Sequence, residues 1–398
     1  MTASSSARGV PGWLVLVGAM SALGPFSIDM YLPGFPQIER DLAESGVERT
    51  MATYMLGIAL GQLVYGPLSD RFGRKPPLYA GLILYVIGSL GCSFAVSMSM
   101  LMWMRVLQAI GACSPLVIGR AVVRDRCEPQ DAAKAYATLM MIVSLGPIVA
   151  PTLGGWVITA FGWRAVFVFQ AVASIAIIVA MHSMLVESRD PAHVQPLHFG
   201  RVLDSYGRLF LDRRFVGYSG VGGFAMAGLF CYVTGSPIVM AEQYGLTPQQ
   251  FGWMIGMNGI AFMSASRWNI VSLRRSTPER VLAGAIWFPT LIAIALAIVS
   301  YWLRLPLWAV LIAQFGFFLA IGRANPNVAA LALAPHARAA GTASALMGAV
   351  QSGLGVLAGV AVAMFSDGTL SRLATLMAGF AVSSLLCYLL AKGAEAAG

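Results

Sequence analysis

Seventeen Asp and Glu side chains occur in the 398 residues, and all but one fall in polar stretches or at their edges. The exception is Asp29, in FSIDMYLPGFP, inside a long apolar run that begins at Trp13. A charged side chain at the centre of a membrane helix costs roughly 2.5–3.5 kcal/mol on insertion scales, and such groups usually face a cavity and handle ions or protons. The chemistry that a lone carboxylate offers is the gain and loss of one proton. A competing reading ends the helix at Asp29 and leaves the carboxylate as a cap in external water, which Tyr31, Leu32 and Pro33 would permit. Arg105 is the second charge in an apolar run. It follows the short external turn 97–99 and lies about 8 Å inside the outer face at 1.5 Å per residue. Asp29 is about sixteen residues from the inner start of its run, so both belong to the outer half of the membrane. Gln108 and Ala112 follow Arg105 at i+3 and i+7, giving one polar stripe that faces inward. Snorkelling of Arg105 to the outer headgroups is the alternative. Arg323, also flanked by apolar residues, falls nearer the inner surface and reads as structural.

Two further patterns suit movement rather than binding. In GPLSDRFGRKPPL (66–78), Asp70, Arg71, Arg74 and Lys75 crowd into a turn opened by Gly66, Pro67, Gly73 and Pro76. The flanking runs 50–69 and 77–97 are each about 20 residues, enough to cross a bilayer core. Asp70 stands where it could meet backbone donors of a neighbouring helix. In SLGPIVAPTLGGWV, Gly146, Ala150 and Gly154 recur at i, i+4 and i+8, with Pro147, Pro151 and Gly155 beside them. Small residues at that spacing let helices approach closely, and prolines bend them. A hinge-like seam is the expectation.

The elements that must position these groups are membrane helices. The chain is 58% hydrophobic and 11% charged, with mean hydropathy +0.74, whereas soluble domains are about a quarter charged. Apolar runs fall at 13–36, 50–69, 77–97, 100–121, 136–159 and 164–186, then at 215–237, 249–271, 280–302, 306–331, 340–364 and 370–391. That predicts an all-α polytopic membrane protein of about twelve spans in two sets of six. The N-terminal half is 1–186, a cytoplasmic linker is 187–214, and the C-terminal half is 215–398. Within the linker, Phe199, Val202, Leu203, Tyr206, Leu209 and Phe210 share one helical face, the pattern of a helix lying on the membrane surface. Arg8 before the run at Trp13 imitates a signal peptide, but the run is too long and has no clear cleavage site, so it reads as an uncleaved first helix.

Lys and Arg concentrate in the loops on the side of the 66–75 turn, which places that turn and both termini in the cytoplasm. The formal charge of +9 is thereby a topology signal rather than a nucleic-acid footprint. The five cysteines form no CxxC pair or metal spacing, and neither a disulfide nor a metal site is expected. A shift of about 203 residues lays Arg71 on Arg274 and Gly81 on Gly284, and nearly lays Pro33 on Pro237, which sets Asp29 opposite Val233. Two parallel six-helix repeats make a transporter architecture with substrate held near the midplane between them.

The 66–78 turn resembles the signature turn between helices two and three of the major facilitator superfamily at every defining position. Arg105, Gln108 and Gly111 resemble the helix-four motif, although Ala109 stands where many relatives have glycine. Residues 146–155 look like the helix-five motif of proton-coupled drug antiporters. IDMYLPGFPQI and RANPNVAALALAPHARAAGTASALMG narrow the resemblance to the Bcr/CflA-type group that exports bicyclomycin and chloramphenicol. It covers essentially the whole chain, although the second-half turn WNIVSLRRSTPERVL lacks the aspartate and glycines. The resemblance implies twelve helices around a central cavity, alternating access, and a bacterial inner-membrane monomer. It also implies a proton gradient rather than a cofactor as energy source.

Efflux of small, mostly apolar drugs, with Asp29 and Arg105 as the proton-coupling pair, is therefore the leading expectation. Substrate would meet apolar and aromatic groups with few polar ones. By helical spacing the candidates are Tyr31, Tyr54, Met55, Gln108, Phe224, Phe230, Tyr232, Asn258 and Gln351. Proton-coupled nutrient uptake is the alternative, but a sugar carrier should have more Asn, Gln, Asp and Glu in its spans. A membrane metalloprotease is excluded because His182, His193, His198 and His336 show no His-x-x-x-His spacing. A non-transporting sensor does not explain the intact inner turn.

Overall fold

A computed structural model describes residues 11–127, 145–187 and 206–397, with 135, 138, 139 and 141–143; the side chains of 70, 124, 337–342, 345 and 394–397 are outside that description. The described residues are helical throughout, joined by short turns. In the first half the helices are α1 (Gly12–Asp29), α2 (Phe35–Leu42), α3 (Arg49–Phe72), α4 (Lys75–Ser93), α5 (Met98–Arg126), α6 (Gly146–Phe161) and α7 (Trp163–Met184). In the second they are α8 (Arg213–Glu242), α9 (Pro248–Leu273), α10 (Pro278–Trp302), α11 (Leu307–Leu333), α12 (Ala340–Phe365) and α13 (Leu370–Ala397).

The first span is not one straight helix through residue 36. Pro33 has no N–H to give the carbonyl of Asp29, four residues back, so the α-helical ladder ends there. The chain tightens into a 3-10 turn at Leu32–Gly34 and resumes as α2, with Pro36 in its first turn. Other ends follow equally local rules. Ser97 caps α5 by accepting from the Met100 N–H at 3.2 Å. Asp212 caps α8 through the N–H groups of Arg214 and Phe215. Thr247 and Gln250 form a reciprocal capping box on α9.

Among the described residues, eleven helical segments are long and apolar enough to cross a membrane, counting α1 to α2 as one. α9 stands in the place of the eighth expected span. It is 26 residues long, or about 39 Å, but Asn258, Arg267 and Asn269 dilute its apolar character. It is not among the eleven, and it packs closely on α6. A Cβ on Gly252 would strike the Pro151 carbonyl, one on Gly256 would lie 3.0 Å from the Ile148 carbonyl oxygen, and one on Gly259 would strike the Ile148 side chain. The linker surface helix expected over 199–210 falls mostly outside the described residues. Of its apolar face, Leu209 is buried, Tyr206 half-buried and Phe210 exposed.

The buried apolar residues divide into three clusters, and their placement is informative. With inner denoting the end that carries the 66–75 turn, one cluster fills the inner part of the first half around Leu14, Tyr65, Leu82, Ala112 and Met181. A second fills the inner part of the second half around Phe215, Leu282, Val328, Leu346 and Tyr388. The third joins the outer parts of both halves, from Met30, Phe35 and Trp163 to Tyr232, Ile255, Phe317 and Leu373. The two halves thus share one core at the outer end and keep separate cores at the inner end. Phe230 packs against both the shared core and the inner core of the first half.

Candidate functional site

Asp29 is the last residue of α1, with 8% of its surface exposed. The residues after it, Met30 to Phe35, are buried as well, so the carboxylate is not a cap in open water. Among the described residues its carboxylate has no hydrogen bond or ion pair. The break in span one sets it against α6. A Cβ on Gly154 would fall on the Met30 carbonyl oxygen, and one on Gly146 would lie 2.8 Å from Pro25 Cβ. Only glycine lets α6 approach the segment just after Asp29.

Arg105 shares that depth and is fully buried, but its guanidinium goes elsewhere. Nη1 donates to the Ser27 carbonyl at 2.9 Å and to Gln108 Oε1 at 2.6 Å. Its Cζ lies 4.2 Å from the Tyr31 ring centroid and 4.1 Å from that of Tyr54, with Phe167 at 5.9 Å. Among the described residues Nε and Nη2 have no hydrogen-bond partner, so the ring faces are what they meet. Cation–π contacts in such desolvated places are worth about 2 kcal/mol. Gln108 is spent within the same network: Nε2 donates to Ser89 Oγ and to Gln170 Oε1, both at 2.8 Å. Gln170 Nε2 in turn donates to the Phe26 carbonyl at 3.2 Å. Tyr31 Oη pairs with Thr50 Oγ1 at 2.9 Å, and Tyr54 Oη donates to the Gly24 carbonyl at 3.4 Å. Tyr31, Tyr54, Arg105 and Gln108 therefore form one neighbourhood, in which a polar cluster holds the α1 backbone two residues before Asp29.

The other candidates are distributed across the seam and the second half. Met55 and Phe230 meet from opposite halves: a Cβ on Gly355 would lie 3.5 Å from Met55 Cγ and 3.3 Å from Phe230 Cδ2. Tyr232 and Asn258 are linked through Gln314. The Tyr232 hydroxyl donates to Gln314 Oε1, and Gln314 Nε2 donates to Asn258 Oδ1 at 2.5 Å. Asn258 Nδ2 is buried with no partner among the described residues. Phe224 is half-buried beside Phe317 and Pro289, within the second half. Gln351 is half-buried against Gly222, nearer the inner end. Arg323 stacks on Trp268, with Cζ 3.8 Å from the ring centroid, and donates to Ser272 Oγ at 3.3 Å.

At the inner turn, Gly73 has φ +87, which favours glycine, and a Cβ there would also lie 2.9 Å from Glu187 Oε2. That carboxylate accepts from the N–H groups of Arg74 and Lys75 at 2.9 Å each, capping α4 from the chain just past α7. The Arg74 side chain is buried. Its Nε meets Asp125 Oδ2 at 2.7 Å and its Nη1 donates to Ser69 Oγ at 3.0 Å. Arg71 Cζ lies 5.2 Å from the Phe72 ring centroid. The side chain of Asp70, expected at the centre of the turn, lies outside the described residues. Ser69, Phe72 and Asp125 belong to the first half and Glu187 opens the linker, while a Cβ on Gly66 would meet nothing within 4 Å among the described residues.

The outer seam is tight by contrast. A Cβ on Gly155 would lie 2.7 Å from the Pro248 carbonyl oxygen, and one on Gly359 would lie 2.8 Å from Ala52 Cβ. Gly154 and Gly155 thus face different partners, the first α1 of its own half and the second α9 of the other. Pro147 and Pro151 sit in the same helix, Pro147 in its first turn and Pro151 inside it. Sequence reasoning missed Ser27, Ser89, Gln170 and Gln314. A lone Gln in an apolar run is a signal that could have found Gln170 and Gln314. Asp125 and Glu187 look like ordinary loop charges and carry no such signal.

A family model described as Major Facilitator Superfamily matches residues 15–360. The chain is 33% identical over 337 residues, 84% of each chain, to an uncharacterized MFS-type transporter, YdgK, of Bacillus subtilis. It is 30% identical over 390 residues to the bicyclomycin resistance protein homolog of Haemophilus influenzae, covering 94% of this chain and 95% of that one. To multidrug resistance protein D of Escherichia coli it is 28% identical over 398 residues, covering 94% of each. Among solved structures, a bacterial homolog of the human lysosomal transporter Spinster, inward-facing and occupied, is similar with TM-score 0.75 at 16% identity over 96% of both chains. A D-xylose–proton symporter gives TM-score 0.73 at 14% identity, over 94% of this chain and 97% of that one. At such identities the structures bear on fold alone.

Proposed function

The chain belongs to the major facilitator superfamily, and from that premise we propose that it exports small, mostly apolar drugs from the cytoplasm in exchange for protons. It is a multi-pass membrane transport protein, not an enzyme. The relatives named for bicyclomycin and multidrug resistance support drugs as the cargo. The observation that carries proton coupling is Asp29, a buried carboxylate at a break in span one with no bonded partner among the described residues. Proton uptake there cancels a charge in the wall of the shared outer core, and proton loss restores it. The Arg105 cluster acts by fixing the α1 backbone at Ser27, so the carboxylate is presented at a defined place without being neutralised by a salt bridge.

Exchange follows if drug and proton favour different conformers. A ligand shifts such an equilibrium only through its differential affinity for the two states. Drug would enter from the inner end, where the cores are separate, and meet Met55 and Phe230 at the floor where the halves join. The unpartnered Asn258 Nδ2 offers a hydrogen bond to a carbonyl or hydroxyl of the drug. The inner turn, with Gly66, Asp70, Arg71, Gly73, Arg74 and Lys75, would latch the halves when the outer end opens, and α6 with Gly146, Pro147, Pro151, Gly154 and Gly155 would be the seam they move along. The test is accumulation of chloramphenicol and bicyclomycin in an efflux-deficient bacterial host. Expression should lower accumulation, and a protonophore should restore it. Lowered accumulation that a protonophore leaves untouched would contradict proton coupling; unchanged accumulation across a broad drug panel would contradict drug efflux.

A further inference from the structure

The outer seam between α3 and α12 has a second face, turned toward the bilayer. Gly359 backs onto Ala52, where a Cβ would lie 3.0 Å from both the backbone N and Cα of Ala52, so the two helices meet by their backbones. Above that floor the walls rise on both sides: Leu56 on α3, and Val356, Val360 and Met364 on α12. They bound a groove of about 360 Å³, open on its lipid side. Its lining is almost wholly apolar. The Thr53 hydroxyl, the one uncharged polar group on its α3 wall, is occupied by the Thr50 carbonyl at 3.0 Å. At the outer mouth stands Arg49, exposed, its guanidinium without a hydrogen bond or ion pair among the described residues. Its neighbour Glu48 is buried.

We propose that this groove binds one anionic diacyl phospholipid of the outer leaflet. Arg49 would meet the phosphate and the walls between α3 and α12 would hold the first part of an acyl chain. The dimensions suit that occupant. From Arg49 to Leu56 is seven residues, about 10 Å along the helix, which is the depth of the outer third of a ~30 Å hydrocarbon core. A cation at the headgroup level over an apolar slot matches a lipid better than a free anion, which needs no slot, or a neutral drug, which needs no cation. The groove also has a conformational consequence. Its walls come from both halves, so parting α3 from α12 destroys it. A lipid that binds only the outer-closed conformer stabilises that conformer by mass action. The inference does not depend on what the protein transports.

The test is native mass spectrometry of the full chain, released from nanodiscs holding equal amounts of palmitoyl-oleoyl phosphatidylglycerol and phosphatidylcholine. The wild type should retain phosphatidylglycerol in preference, and Arg49→Gln should lower that preference about fivefold, as expected for loss of one cation near an anionic headgroup. Arg49→Lys should keep it. Val360→Trp should fill the slot and remove one retained lipid. Because Val360→Trp could disturb helix packing, the surface variant Arg49→Gln carries the decision. Equal retention of phosphatidylglycerol by the wild type and Arg49→Gln would overturn the proposal. So would wild-type retention of the two lipids without preference, which would mark an unselective crevice.

Discussion

Replacing Gly155 by alanine adds one methyl group where α6 meets α9 of the other half. The new Cβ would lie 2.7 Å from the Pro248 carbonyl oxygen and 3.0 Å from Gln249 Cα, whereas ordinary contact begins at 3.4 Å. The obstacle is backbone, so no change of rotamer relieves it, and the helices must part by about 0.7 Å, the difference between 2.7 and 3.4. Overpacking of this kind costs about 1–3 kcal/mol. Alanine is also the better helix former by about 1 kcal/mol, but that gain is present in every conformer and cancels between them. The cost falls on the outer-closed conformer alone, where α6 and α9 touch. It should shift the equilibrium about 5- to 150-fold toward separation at the outer end. The assay is a distance distribution between spin labels at the exposed positions Arg40 and Trp302, in a background lacking the five native cysteines. Gly155→Ala should enrich the longer distances and slow drug efflux. A distribution that overlays the wild type, with normal efflux, would refute the claim that this backbone contact holds the outer end closed.

Gly154→Ala makes the complementary case: its Cβ would strike the Met30 carbonyl within the same half, so proton-driven drug transport in proteoliposomes should fall sharply while the outer-end distances stay as in the wild type. Arg105→Lys keeps the charge but cannot lie flat across Tyr31 and Tyr54 while bonding Ser27 and Gln108; transport should drop about tenfold, in line with loss of one ~1.4 kcal/mol interaction, and measured turnover near wild type would refute the stacked role. Glu48, at the outer mouth before α3, has its pKa raised to about 7, first by burial and then by the Glu39 and Glu242 carboxylates, against lowering by its own backbone N–H and by Arg49. A raised carboxyl pKa means that the closed conformer binds the proton more tightly. Closure at the outer end should therefore strengthen as pH falls through about 7 toward 4.5 and weaken as pH rises through about 7. The label distances should follow that sign, and Glu48→Gln should flatten the profile.

The all-helical membrane fold and the turn between α3 and α4 could be read from the sequence because they rest on local signals: apolar run length and the Gly–Pro punctuation of 66–78. The family motifs added a seam at 146–155, and its glycines prove to divide between two partners, which no one-dimensional pattern distinguishes. Three things were out of reach. The break in span one follows from Pro33 removing a donor for Asp29, yet a run of apolar residues on both sides hides it from hydropathy. α9 falls short of a membrane span by hydropathy and is held against α6 by its glycine contacts, and such complementarity belongs to two segments at once. The Arg105 guanidinium was expected to act on Asp29 and instead bonds Ser27 and Gln108 between two tyrosine rings, because a buried arginine seeks several partners at fixed angles. Asp125 and Glu187 serve the inner turn from more than 50 residues away, a distance in sequence that composition cannot bridge.

The central claim is that Asp29 couples drug movement to proton movement. The direct measurement is drug uptake into inverted proteoliposomes driven by a pH jump, comparing the wild type with Asp29→Asn. Asparagine keeps the size and polarity of a protonated aspartate and cannot change charge. The account predicts that Asp29→Asn loses pH-driven accumulation and drug-induced proton release while still binding a neutral drug. Asp29→Glu should retain part of the activity with a shifted pH optimum, and Val233→Asn at the repeat-related position should leave coupling intact. Accumulation of drug against its gradient by Asp29→Asn, in response to the same pH jump, would contradict the account and move the coupling group elsewhere in the chain.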